Sequence, residues 1–303
     1  MQVAVLYTAV SGERRVRCHN IGLPVCNQIS DVFRSACCDT LMNVMLRQAV
    51  SGLRLGEQTV QQVKESLISR SVKILTAYRR HCAQPNSSLG QLILPEALKL
   101  LPVYVTGALK CDAIDGGPEM TPDDKAFAQI RTLGAWIRNS QVILYPRLLR
   151  LEYEDETLTN LRTVHVRCSD ARILNSNATA FILENSFYLF VYVMNTPSSS
   201  QTQFVKNVFG VDSTQAIVPE QVSGSHSKAL GVFTHVVLAT QGLPQLLTSE
   251  SQFLHQKIKE IWQERRKAMR TYVIRQGIDS LELVFKSFLY EDKKLHPSVA
   301  GET

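Results

Sequence analysis

Between His255 and Arg275 the chain places Lys257, Lys259, Arg265, Arg266, Lys267, Arg270 and Arg275 against only Glu260 and Glu264. That window supplies most of the formal net charge of +6 and the pI near 8.9. Cations at this density attract phosphate, on nucleic acid or on an anionic bilayer, where each Lys or Arg near the surface contributes about 1 kcal/mol. A solvated helix face has the same pattern. Other reactive side chains are dispersed. Gly224-Ser225-His226-Ser227 lacks the second glycine and the strand-turn-helix setting of a nucleophile elbow. The chain contains no G-x-x-x-x-G-K-[ST], H-E-x-x-H or G-x-G-x-x-G motif. Cys18, Cys26, Cys37, Cys38, Cys82, Cys111 and Cys168 form an odd set without a C-x-x-C pair, which reads as reduced structural thiols. The vicinal Cys37-Cys38 is read as part of a buried helix face. The histidines lie apart from the cysteines and from one another, Asp123-Asp124 reads as a helix cap, and Glu152 to Glu156 reads as a loop. No catalytic residues and no metal ligands are expected, so an enzyme is not.

The elements that would carry these residues follow from periodicity. A length of 303 residues with 45% hydrophobic and 20% charged side chains describes an ordinary globular chain of roughly two domains. The mean hydropathy of -0.05 fits a soluble chain, and no apolar run reaches the roughly 18 residues of a membrane span. The N-terminus lacks a secretory signal pattern, which implies a cytosolic location. Residues 2–25 alternate as two strands, and two strands alone are marginal in water. Helical periods then run over residues 30–52, 60–78 and 95–109, the third interrupted by Pro102. Thr121-Pro122-Asp123-Asp124 starts a fourth helix carrying Phe127, Ile130, Leu133, Ile137 and Leu144 on one face.

Residues 164–167 alternate as a strand, and 180–184 with 187–193 read as a hairpin turning at Asn185-Ser186. Residues 198–210 follow as a helix, so this part is α+β, and residues 229–239 fit strand or helix. After Leu247, one amphipathic face is formed by Leu254, Ile258, Ile261, Trp262 and Met269, and a second by Ile278, Leu281, Val284, Phe285, Phe288 and Leu289. Both are expected to pack on the earlier helices.

Three motifs carry a resemblance. Residues 6–25, LYTAVSGERRVRCHNIGLPV, residues 98–110, LKLLPVYVTGALK, and residues 143–151, ILYPRLLRL, occur in this order. They resemble the cargo-adaptor subunit of the COPII inner coat, the Sec24 family. The resemblance implies a multidomain α and α+β architecture, an all-helical domain with an inserted gelsolin-like α+β domain, preceded by the last strands of a β-sandwich. The implied boundaries are 1–27 for the β-sandwich strands, 28–146 for the helical domain and 147–247 for the gelsolin-like domain. Residues 248–295 are then C-terminal helices packing on the helical domain, and 296–303 a tail. The family's zinc finger lies upstream of this part, so no cofactor is expected here. The implied role is cargo selection and coat assembly in transport from the endoplasmic reticulum to the Golgi, on the cytoplasmic side as a peripheral membrane component. Implied partners are the Sec23-family coat subunit, cytosolic tails of cargo and SNARE proteins, the anionic membrane surface and, indirectly, the Sar-type GTPase, with no nucleic acid. The alternatives are the sister Sec23 family, whose members activate that GTPase, and a gelsolin-like actin- or phosphoinositide-binding protein. Within this reading Arg265, Arg266, Lys267 and Arg270, the densest cluster expected on one helix, are assigned to the membrane-facing surface.

Overall fold

The computed structural model describes residues 1–23, 25–83, 88, 90–116, 120–154, 158, 160–169, 173, 178–217, 248–267 and 269–291. The alternating residues at the N-terminus form a hairpin of β1 (Gln2–Thr8) and β2 (Arg14–Asn20), antiparallel and in register from Gln2 opposite Asn20 to Thr8 opposite Arg14. Gly12, at φ 84°, makes the turn. Every residue of both strands is exposed, including Val3, Leu6 and Val16.

Six helices follow: α1 (Ile29–Ser35), α2 (Cys38–Arg54), α3 (Val60–Cys82), α4 (Leu101–Lys110), α5 (Pro122–Leu133) and α6 (Ile137–Leu144). On α2, Met42, Met45, Leu46, Ala49 and Val50 recur at helical spacing and are all buried. Thr59 closes a capping box with Gln62 at the start of α3, and the Thr121 hydroxyl accepts the Asp124 N–H at the start of α5.

Three helix boundaries differ from the sequence reading. The first helical run breaks at Ala36 and Cys37, leaving Cys37 exposed and only Cys38 buried. Pro102 lies in the first turn of α4, where a missing N–H interrupts nothing, and a separate 3-10 turn (Glu96–Leu98) precedes it. The expected fourth helix is two, because Gly134 ends α5 and Trp136 has extended backbone before α6. α4 and α6 pack closely at Gly107, where a Cβ atom would lie 1.7 Å from the carbonyl oxygen of Leu144.

The sheet has five strands, β3 (Arg147–Tyr153), β4 (Leu161–Val166), β5 (Ala180–Glu184), β6 (Tyr188–Val193) and β7 (Arg270–Arg275), in the order β4-β3-β5-β6-β7. All pairs are antiparallel except β6 with β7. Every residue of β5 and β6 is buried, which is why these segments read as continuous apolar runs. On one face Leu149, Leu151, Ile182, Leu189, Val191 and Val193 pack against α7 (Ser199–Phe209) and α8 (Ser249–Arg265). The other face presents Leu148, Phe181, Leu183, Phe190, Tyr192 and Ile274 to Phe285 of α9 (Glu282–Ser287), to Phe288, and to Leu101 and Leu109 of α4 in one continuous cluster.

Within residues 248–291 the first part departs from the expected set of helices on the helical domain, whereas Phe285, Phe288 and Leu289 share one cluster with Leu101 and Leu109 of α4. Residues 292–295 and the expected 296–303 tail lie outside the described residues. Leu254, Ile258 and Ile261 of α8 cover the far face of the sheet. RTYVIR enters the sheet as β7, beyond the expected 247 boundary. Amphipathic spacing requires a buried stripe on α8 but does not choose the surface it covers. Residues 224–227 and 229–239 lie outside the described residues.

Candidate functional site

β5 ends at Glu184, whose side chain is fully buried. The turn after it is closed by the Asn185 side chain, which accepts the N–H groups of Phe187 and Tyr188. A buried carboxylate requires paired charge and directed hydrogen bonds. Arg265, the last residue of α8, supplies both: its Nε lies 3.0 Å and its Nη2 2.6 Å from the carboxylate oxygens, and its Nη1 donates to the carbonyl of Arg138 at 2.9 Å. Nη2 of Arg147 also sits 2.7 Å from Glu184, too far off axis for a hydrogen bond, while its Nη1 donates to Glu264 at 2.8 Å. Arg265 thus ties the sheet, α8 and the start of α6 together.

The chain reverses immediately after this residue. Arg266 adopts the left-handed conformation at φ 54°, its N–H bonding Gln263 and the Lys267 N–H bonding Trp262. This is a Schellman stop with arginine where glycine is usual, at a cost of about 1–2 kcal/mol. The Arg266 guanidinium stands 4.2 Å from the Trp136 ring centre, a cation–π contact across the break between α5 and α6. Lys267 is half-buried with its ammonium 5.7 Å from the Phe187 ring. Burial lowers its pKa to about 8, helped by the charges of Arg131 and Arg265 and opposed by Glu184. Arg270, in β7, lies 5.2 Å and Arg131 5.8 Å from the Phe127 ring.

An open cleft of about 1060 Å³ lies where these elements meet. Arg47 of α2 and Arg138 of α6 reach it from the helical side, with Arg131, Ile130, Trp136 and Ile137 between them and Arg266 and Lys267 opposite. The four sequence-assigned residues consequently separate. Arg265 is only 4% exposed and cannot face a membrane while it holds Glu184. Arg266 and Lys267 line the cleft, whereas Arg270 belongs to a strand outside the lining, so the cluster does not occupy one helix. Sequence reading missed Arg47, Arg131, Arg138 and Trp136, which are scattered over three elements. The available signal was Gly134, which marks the break that turns Ile130 and Ile137 outward.

Residues 37–142 match the family described as the Sec23/Sec24 helical domain. Over 97% of its length the chain is 35% identical to human protein transport protein Sec24C, and over 98% it is 31% identical to human Sec24D. These matches cover 24% and 26% of the two relatives, so the chain spans about a quarter of their length. The crystal structure of the human COPII-coat protein Sec24c superimposes with a TM-score of 0.78 at 34% identity, covering 97% of this chain and 34% of that one. The chain belongs to the Sec24 family. The multidomain α and α+β class expected from the motifs accords with that neighbour. Within the Sec24-family chain, Arg47, Arg131, Trp136 and Arg138 belong to the matched helical domain, and Arg266 and Lys267 lie outside it. The cleft therefore straddles the edge of that domain. No helix among the described residues is long and apolar enough to cross a membrane.

Proposed function

We propose that this chain is part of a COPII-type vesicle coat and serves as a structural and cargo-adaptor element in transport from the endoplasmic reticulum. The observation that carries the reading is similarity to Sec24C over nearly the whole chain, in sequence and in backbone, rather than at one motif. It favours the adaptor branch over the sister Sec23 branch, since Sec24C and Sec24D match across both the helical and the sheet regions. In this reading a Sec23-family subunit is the coat partner, cytosolic tails of cargo and SNARE proteins are the clients, and the chain works peripherally on the cytoplasmic side of the membrane as a scaffold rather than an enzyme. Of the four residues assigned to a membrane-facing surface, Arg265 is excluded by its burial, and Arg266, exposed and without a carboxylate partner among the described residues, lines the cleft instead.

The test is recruitment. A tagged copy of the chain expressed in cells should concentrate with the inner coat at exit sites of the endoplasmic reticulum and co-precipitate a Sec23-family subunit. Both signals should rise when the Sar-type GTPase is locked with GTP. A diffuse distribution that ignores the GTPase state, with no coat subunit recovered, would overturn the proposal.

A further inference from the structure

We propose that the cleft between α2, the α5–α6 break and the end of α8 is a docking site for an acidic polypeptide segment that also carries an apolar side chain. Charge is the first ground. Among the described residues, Arg47, Arg131, Arg138, Arg266 and Lys267 line one cavity and none forms an ion pair, although the nearby Arg147 and Arg265 are both paired. The one acid in the described lining, Glu264, is already engaged by Arg147 at 2.8 Å. The lining thus sets five unpaired cations against one carboxylate that Arg147 and Arg265 already share and that also feels the charge of Arg138, and its walls focus the excess positive field inward.

Shape and apolar lining select the partner. Trp136 is 59%, Ile130 56% and Ile137 41% exposed on the same surface. Inorganic phosphate would leave these side chains unused, and a bilayer cannot follow a concave wall. An extended acidic segment satisfies both features, its carboxylates meeting the guanidinium groups and an apolar side chain covering Trp136 and Ile137.

The third ground is backbone strain. Arg266 occupies a left-handed position that glycine would fill more easily, and its guanidinium is held against Trp136 at the cleft rim. A strained residue that presents a charge to an open cavity is an arrangement that functional sites retain. Lys267 in the same lining has its pKa lowered by burial first and then by the charges of Arg131 and Arg265, with Glu184 opposing.

The site stands independently of the coat role, because its test contains no coat subunit. Fluorescence anisotropy would measure binding of the full chain to a short fluorescein-labelled peptide of alternating Glu and Leu. The Gln-for-Glu peptide, inositol hexakisphosphate and phosphatidylserine vesicles serve as comparison probes. The Glu peptide should bind, weaken as salt rises, and outbind the Gln peptide. The double variant R138E/R266E should weaken it about tenfold, each exposed contact being worth a few-fold, while K73E on α3 should leave it unchanged. If R138E/R266E fails to fold by circular dichroism, W136S gives the second reading, expected to weaken the Glu-Leu peptide more than a Glu-Ser peptide. Equal binding of the Glu and Gln peptides overturns the proposal. So does undiminished binding by the double variant, by W136S if the double variant does not fold, or capture of vesicles or of the inositol phosphate without the peptide.

Discussion

Replacing Arg265 with Met removes the guanidinium that aligns with Glu184 while keeping an unbranched side chain of similar reach. Glu184, fully buried, would retain only the off-axis contact with Arg147, and the Arg138 carbonyl would lose its Nη1 donor. Removing one partner from a buried charge pair costs about 3–5 kcal/mol, because the remaining charge cannot recover water. An exposed cation without such partners changes stability by about 0.5 kcal/mol or less. Arg265→Met should therefore lower the unfolding free energy by about 3–5 kcal/mol, and Arg266→Met, one residue along, should change it by about 0.5 kcal/mol. Urea titration followed by circular dichroism resolves that difference through the shift in midpoint at constant slope. The double variant Glu184→Leu with Arg265→Met replaces the ion pair by apolar contact and should recover much of the loss, since Arg147 keeps Glu264 at 2.8 Å. A loss below about 1 kcal/mol for Arg265→Met, or a double variant no better than the sum of the singles, would show that these charges are solvated and that the reasoning fails.

Three further outcomes follow from the geometry. Gly107→Ala places a carbon 1.7 Å from the Leu144 carbonyl oxygen, so α4 and α6 must move apart; thermal denaturation should show a loss of about 2–3 kcal/mol or more, and an unchanged melt would contradict the close approach. Arg266→Gly relieves the left-handed strain and should raise stability by up to about 1 kcal/mol in the urea assay while weakening acidic-peptide binding; a loss of stability would mean that the Trp136 contact outweighs the strain. Lys267 titrates at about 8 when folded against 10.5 as its ordinary value, so between those pH values the unfolded chain holds the proton that the folded chain has released. Wild type should gain stability relative to Lys267→Met as pH rises through that window, and parallel curves would refute the shift.

The helical segments were readable because their apolar residues recur at 3–4 residue spacing and their caps are explicit, as at Thr59 and Thr121. The β5–β6 hairpin was readable from two β-branched and aromatic runs joined by Asn185-Ser186. Less legible were the destinations of these elements. Nothing in the spacing of Leu254, Ile258 and Ile261 distinguishes the far face of a sheet from the flank of a helical bundle. The strand over Arg270–Arg275 was hidden because it adjoins a basic stretch that reads as helix surface. The cleft was least visible, since its cations come from α2, α5, α6 and the end of α8 and meet only in three dimensions. Local density of charge grouped Arg265 with Arg266, Lys267 and Arg270 as one membrane-facing cluster, because one-dimensional counting cannot see Glu184 some eighty positions earlier.

The parallel pairing of β6 with β7 imposes an order of events on synthesis. Tyr188 must wait for Arg270 to emerge before that side of the sheet can be zipped, and Phe190 and Tyr192 wait longer for Phe285 and Phe288. At ~5–20 residues per second, the interval between Tyr188 and Arg270 lasts about 4–16 seconds. Throughout it a nascent chain carries an open strand edge beside an aromatic face that has α4 available to it but still lacks Phe285 and Phe288, and an unpaired edge is a template for pairing with another chain. The sheet is therefore completed late, at an edge that closes only once residues 270–275 have been made, although its central strands are neighbours in sequence.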